Sequence, residues 1–205
     1  MRGLPEIVAD IEAEMDERDT VRELAVKSSR TLGRLASTAI RGMHRREDVA
    51  PLLRSMAEEV GQLNGVLADH PELFHSGLVA NALQEVAEAG IVHAIQRGEG
   101  LPAPRDLGVP SAAYLLGLAD TVGELRRFTL DALRGGDLPT AERYLAVMEE
   151  ILEALLRFDY PAALVALKPK QDTARALIER TRGELAVAVR GMALEAKLDR
   201  LTGKP

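Results

Sequence analysis

The longest uninterrupted pattern in the chain runs from Pro5 to about Arg46, and it is helical. Proline suits the first turn of a helix. Ile7, Ile11 and Met15 recur at helical spacing, and after a charged interval Val21, Leu24, Ser28, Leu32, Leu35, Ala39 and Met43 continue it. Only Gly33 weakens the run, by about 1 kcal/mol relative to alanine. At 1.5 Å per residue this helix should be about 60 Å long. A helix of that length must lie against several partners or a neighbouring subunit, which points to a helical bundle.

The remaining segments agree. Asp48 as N-cap with Pro51 in the first turn predicts a second helix through Leu53, Met56, Val60, Leu63 and Leu67. A third is expected from about Glu72 to Arg97, stopping at Gly98. Gly98–Pro110 is the one clear loop. Ser111 is expected to cap a fourth helix that ends at Gly135 and Gly136. Asp137 and Pro139 open a fifth towards Phe158, a short helical piece should follow Pro161, and Pro169 starts a last helix towards Leu201. No segment alternates as a strand should. The expectation is an all-α bundle of six or seven helices forming a single domain over residues 1–205, with a very long N-terminal helix. Its core must be aliphatic, since aromatic residues make up 3% of the chain and tryptophan is missing.

Charge and composition exclude several classes of function. With no cysteine there are no disulfides, thiolate metal sites or cysteine nucleophiles. Glu6, Asp10, Glu12 and Glu14 spoil any signal-peptide pattern, and no apolar run approaches the roughly 20 residues needed to span a bilayer. A cytoplasmic protein with no membrane partner is expected. The net charge of −6 gives no global pull on nucleic acid, so binding to it requires a local basic face. No serine lies in a triad-like setting, and the Gly98–Pro110 loop lacks the ending of a phosphate-binding loop. Glu72-Leu-Phe-His75 fits one half of a ferritin-like di-iron motif, but there is no second copy, and His75 reads as a helix-end or surface histidine.

Two stretches can carry chemistry. In YLLGLADTVGELRR (114–127), Leu115, Leu118, Val122, Leu125 and Thr129 form one stripe, while Asp120 and Glu124 fall nearly opposite. One turn apart, they are close enough to share a divalent cation. Gly117 lies one turn earlier on the same face and leaves room for a ligand or another helix backbone. In LQEVAEA (83–89), Glu85 and Glu88 face away from a stripe of Val79, Leu83, Val86, Ala87 and Gly90. Hard oxygen ligands without His or Cys suit Mg²⁺ or Mn²⁺ better than zinc. Acidic residues at this spacing are also the ordinary content of a solvated helix face, so spacing alone leaves both readings open.

Together these motifs resemble the paired signatures of the translin superfamily, and most closely its TRAX-like (translin-associated factor X) members. RELAVKSSRTLGRLASTAIRGMHR (22–45) resembles the family's first helix and LIERTRGELAVAVRG (177–191) its last. The resemblance implies a metal-dependent endoribonuclease that cleaves single-stranded RNA, with Glu85, Glu88, Asp120 and Glu124 as the catalytic set. It further implies Glu88 and Glu124 as the more direct Mg²⁺ ligands, with Glu85 and Asp120 completing the site. A closed, hollow homo-oligomer is expected, with a translin-like second subunit as the variant arrangement. The alternative is a non-catalytic, translin-like oligomer that binds single-stranded RNA or DNA.

Lys27, Arg30, Arg34, Arg41 and Arg45 fall within about 60° of one another on a helical wheel, opposite the Leu24–Met43 stripe, with His44 beside them. This is either an ordinary exposed face or a ridge that tracks phosphates without sequence preference. The family resemblance favours the ridge, and so does the need for positive charge beside a site that otherwise repels a polyanion.

Overall fold

The computed structural model describes residues 3–202 apart from residue 75, and the side chains of Ala196, Arg200 and Thr202 are also outside the description. Among the described residues there are seven helices and no strand: α1 (Leu4–His44), α2 (Ala50–Val66), α3 (Pro71–Phe74), α4 (Gly77–Arg97), α5 (Ser111–Arg134), α6 (Leu138–Leu155) and α7 (Lys168–Thr202). None is long and apolar enough to cross a membrane. The residues fall into two compact units, one through Gly117 and the other from Leu118, so the boundary lies within α5.

The first unit is built on α1, which packs along both α2 and α4. Its buried stripe keeps Leu32, Ala39 and Met43 of the predicted one, but not Val21, Leu24, Ser28 or Leu35. Leu24 is 47% exposed, whereas Ala25, Ser29, Leu32, Ala36, Ala39, Ile40 and Met43 are buried. The buried face is turned by about 60° from the sequence expectation, at 100° per residue. Small residues line it because a helix flanked by two others must let their backbones come close. The first half of α1 buries nothing: Leu4, Ile7, Val8, Ile11 and Met15 are all exposed.

Helix α4 buries the predicted Val79, Leu83, Val86 and Ala87, and further residues with them. It is buried almost all round, with Val79, Leu83, Ala87, Ile91 and Val92 at 1% exposure or less, so it is the centre of this unit rather than an amphipathic surface helix. The predicted helix from Glu72 is split. α3 ends at Phe74, and Ser76 adopts an extended conformation (φ −64°, ψ 142°) before α4 begins. His75 lies outside the described residues. Asp48 stands one residue before the geometric cap of α2, Val49, although its carboxylate accepts the Ala50 N–H at 3.0 Å.

The end of α4 is closed as predicted. Gly98 is left-handed (φ 68°), Glu99 N–H donates to the Ala94 carbonyl at 3.0 Å, and Gly98 N–H to that of Ile95 at 3.2 Å. These two bonds satisfy carbonyls the helix leaves over. The loop that follows is tied down. The Asp106 carboxylate accepts the Ala103 N–H at 2.8 Å, and the Asn64 amide donates to the Gly108 carbonyl at 2.9 Å. Ser111 is the first helical residue of α5 rather than its cap, and the Pro110 carbonyl accepts the Tyr114 N–H. Burial, helped by the charge of Asp106, pushes the Tyr114 phenol above its ordinary pKa.

In the second unit Asp137 caps α6 as expected, accepting the Thr140 N–H at 3.1 Å. Residues 156–167 form turns instead of the expected short helix; the Pro161 carbonyl accepts the Leu164 N–H (2.9 Å) and the Val165 N–H (3.2 Å) in a single turn that does not continue. The core is Val122, Leu125, Met148, Leu155 and Ile178. Arg126, 14% exposed, links α5 to α7 through the Thr181 hydroxyl (2.7 Å) and the Glu184 carboxylate (2.8 Å). The hydrogen bond from Arg126 holds the Glu184 carboxyl below the ordinary carboxylate range, with burial opposing it. A lowered carboxylate pKa contributes stability above the ordinary value, and that contribution fades as pH falls through the lowered one. Arg126→Ala should therefore cost about 1.5 kcal/mol in urea unfolding at pH 7, at the low end for a charged hydrogen bond because Glu184 is 39% open to water. The difference from the parent should shrink when the measurement is repeated below pH 4.

Candidate functional site

Helices α4 and α5 carry the predicted carboxylates. Within the first unit, α4 meets the start of α5 at Gly117, a residue with no room for a side chain. A Cβ there would stand 2.6 Å from the Gln84 carbonyl oxygen, 2.8 Å from the Ala87 methyl and 2.9 Å from the Glu88 nitrogen. Of the two purposes open to Gly117, a helix backbone is the one it serves. The contacted stretch of α4 runs from Gln84 to Glu88 and so includes both of its acidic residues.

None of the four carboxylates belongs to a fully solvated face. Glu85 and Glu88 are half-buried, and the side chains of Asp120 and Glu124 are 27% and 18% exposed. Gly33 of α1 lies beside Glu85: a Cβ at that glycine would approach Glu85 Oε2 to 3.2 Å. The glycine that reads in sequence as a weak point makes room for a candidate site residue.

The α5 pair is already in contact with cations. Asp120 forms an ion pair with Lys170 of α7, and Glu124 pairs with Arg127 one turn on at 3.0 Å. Neither partner is predicted from sequence. Arg127 follows the acidic motif at i,i+3 and could have been read from it. Lys170 is 50 residues from Asp120, and no local pattern joins them. Its only sequence signal is an anomaly, a cation in the first turn of a helix, where the dipole disfavours one. Next to it, buried Gln171 donates to the carbonyls of Leu155 (2.8 Å) and Phe158 (3.0 Å), which fixes the start of α7 against the end of α6.

As donors, these residues suit a hard divalent cation in kind, being carboxylates without thiolate. Among the described residues, no three Asp, Glu or His side chains are grouped to hold a metal ion as they stand. The Lys170 and Arg127 pairs supply part of the physical reason, since each positions a carboxylate towards an organic cation.

The predicted basic residues of α1 are displayed outward. Lys27, Arg30, Arg34, Arg41 and Arg45 are all exposed, and they lie nearly opposite the stripe that is buried. Arg34 and Arg41 donate to the hydroxyls of Thr31 (3.0 Å) and Thr38 (2.9 Å) on their own helix, which leaves their charge uncompensated by those contacts. Arg45 lies 3.9 Å from Glu47. His44 is half-buried and sits at the edge of the ridge rather than on it.

No family model matches the sequence. An uncharacterized protein of Methanocaldococcus jannaschii is 34% identical over 188 residues, which cover 90% of this chain and 83% of that protein. Among solved structures, AfC3PO in a duplex RNA complex superposes with a TM-score of 0.84 at 32% identity, covering 90% of this chain and 97% of that one. AfC3PO in a further crystal structure gives 0.83 with the same identity and coverage. The apo-NeC3PO structure, at 18% identity and TM-score 0.71 over 92% and 98% of the two chains, shares the fold. The all-α architecture with a long first helix is that of these proteins, and the chain belongs to the translin superfamily.

Proposed function

We propose that this chain is the TRAX-like catalytic subunit of a metal-dependent endoribonuclease that cleaves single-stranded RNA. The observation that carries the reading is the partial burial of all four acidic residues, in a chain whose relative AfC3PO has been solved as a duplex RNA complex. Partly dehydrating a carboxylate is costly, and a bound cation would offset that cost. In this reading Glu88 and Glu124 hold Mg²⁺ or Mn²⁺ most directly, and Glu85 and Asp120 complete the set. The bound cation supplies Lewis-acid activation of the phosphate and of an attacking water. The Arg34 and Arg41 ridge holds the RNA backbone through phosphate charge, independently of sequence. The exposed apolar residues of α1 support assembly into a closed homo-oligomer. A cysteine-free chain suits a reducing compartment, and we place the activity in the cytoplasm.

The test is incubation of the purified protein with labelled single-stranded and duplex RNA, with and without Mg²⁺ or Mn²⁺. Metal-dependent cleavage of the single strand is expected. Binding without cleavage under either metal would instead support the non-catalytic, translin-like oligomer. Replacing Arg34 and Arg41 together by alanine should reduce the slope of log affinity against log salt by about 1.4 on single strands, at about 0.7 per phosphate contact. An unchanged slope would remove α1 from the RNA path.

A further inference from the structure

Lys170 reaches one of the candidate carboxylates, Asp120, from another helix of the second unit. Its neighbour Lys168 makes an ordinary surface pair with Asp172, both side chains being more than half exposed. Lys170 is different: it is 35% exposed, and its partner Asp120 is 27% exposed. It stands in the first turn of α7, which contains no acidic residue and where the helix dipole opposes a positive charge. The turn is not free to move away, because buried Gln171 fastens it to the last carbonyl of α6, that of Leu155, and to that of Phe158 in the turn beyond. An ammonium group is thus held at an unfavourable helix position with its charge directed at Asp120.

We propose that Lys170 is a positioning residue of the carboxylate site: it is the built-in counter-ion of Asp120 and competes with a divalent cation for that carboxylate. Its ammonium neutralises a partly dehydrated Asp120 while the site is empty of metal, and its strength sets the cation concentration at which the site fills. The inference rests on the metal-dependent reading above and adds a threshold to it.

The experiment is Mn²⁺ titration of the full-length oligomer, followed by electron paramagnetic resonance of the free ion. Lys170→Met, which keeps the apolar stem and removes the charge, should bind Mn²⁺ at least about tenfold more tightly than the parent, the scale expected for losing a unit charge a few ångströms away. Lys170→Arg should restore affinity to within about threefold of the parent. Equal or weaker Mn²⁺ binding by Lys170→Met, with the parent binding normally, overturns the competition and leaves the metal reading intact. Absence of Mn²⁺ binding by every protein overturns both. A second readout needs no variant: reductive methylation of Lys170 in the parent protein, read by mass spectrometry, should accelerate severalfold at saturating Mn²⁺, and an unchanged rate also overturns the proposal.

Discussion

Replacing Gly117 by alanine should destabilise the protein by about 3 kcal/mol, the upper part of the range for forcing a methyl group into a closed contact. Two of the three atoms that the new Cβ would meet are backbone, the Gln84 oxygen at 2.6 Å and the Glu88 nitrogen at 2.9 Å. Neither can rotate aside as a side chain can, so α4 and the start of α5 must move apart. Alanine's better helix propensity returns only about 1 kcal/mol. For a chain of this size the melting temperature should fall by about 6–12 °C. Gly33→Ala provides the contrast. Its Cβ meets only Glu85 Oε2, at 3.2 Å, the far end of a flexible side chain. That variant should keep most of the propensity gain and be as stable as the parent, or more so by up to about 1 kcal/mol. Urea unfolding of both proteins checks the pair. A Gly117→Ala protein as stable as the parent would mean that the two helices do not approach this closely.

The second large effect is on cleavage. Glu88→Gln and Glu124→Gln keep side-chain shape and remove the charge. If these residues are the direct metal ligands, each should reduce single-turnover cleavage of single-stranded RNA by about 10³-fold, equivalent to about 4 kcal/mol of lost transition-state stabilisation. Glu85→Gln and Asp120→Asn should cost less, about 10- to 100-fold, as expected for groups that support ligands rather than replace them. RNA affinity should stay within about twofold or increase, since each change removes a negative charge near a polyanion. Full cleavage by either Glu88→Gln or Glu124→Gln would remove that residue from the catalytic set.

Local chemistry made much of the fold legible. Asp137 caps α6, Gly98 and Gly136 take the left-handed conformation after their helices, and Leu118, Val122, Leu125 and Thr129 are buried as their spacing implies. Long-range competition was less legible. Spacing alone places Leu24, Ser28 and Leu35 on the buried stripe of α1 with Leu32, Ala39 and Met43, whereas close packing of two neighbours selects Ala25, Ser29 and Ala36 in their stead. The break before α4 lies at Ser76, where no proline or glycine pair announces it. The acidic motifs could be read as candidates, yet their half-buried state could not, because burial depends on elements distant in sequence. For the same reason no local pattern joins Lys170 to Asp120, 50 residues away.

The first half of α1 has one further consequence, and it concerns mass action. Over residues 4–21 the helix carries seven acidic residues and an apolar line, Leu4, Ile7, Val8, Ile11 and Met15, that stays exposed. A solitary helix of that length is marginal in water, since nucleation and ordering are not offset by packing. Its helicity must then be supplied by whatever covers that line, and dilution below the dissociation constant should fray it back towards the point where Ala25 enters the core. The length of α1 is in that sense a property of the protein's concentration as much as of its sequence.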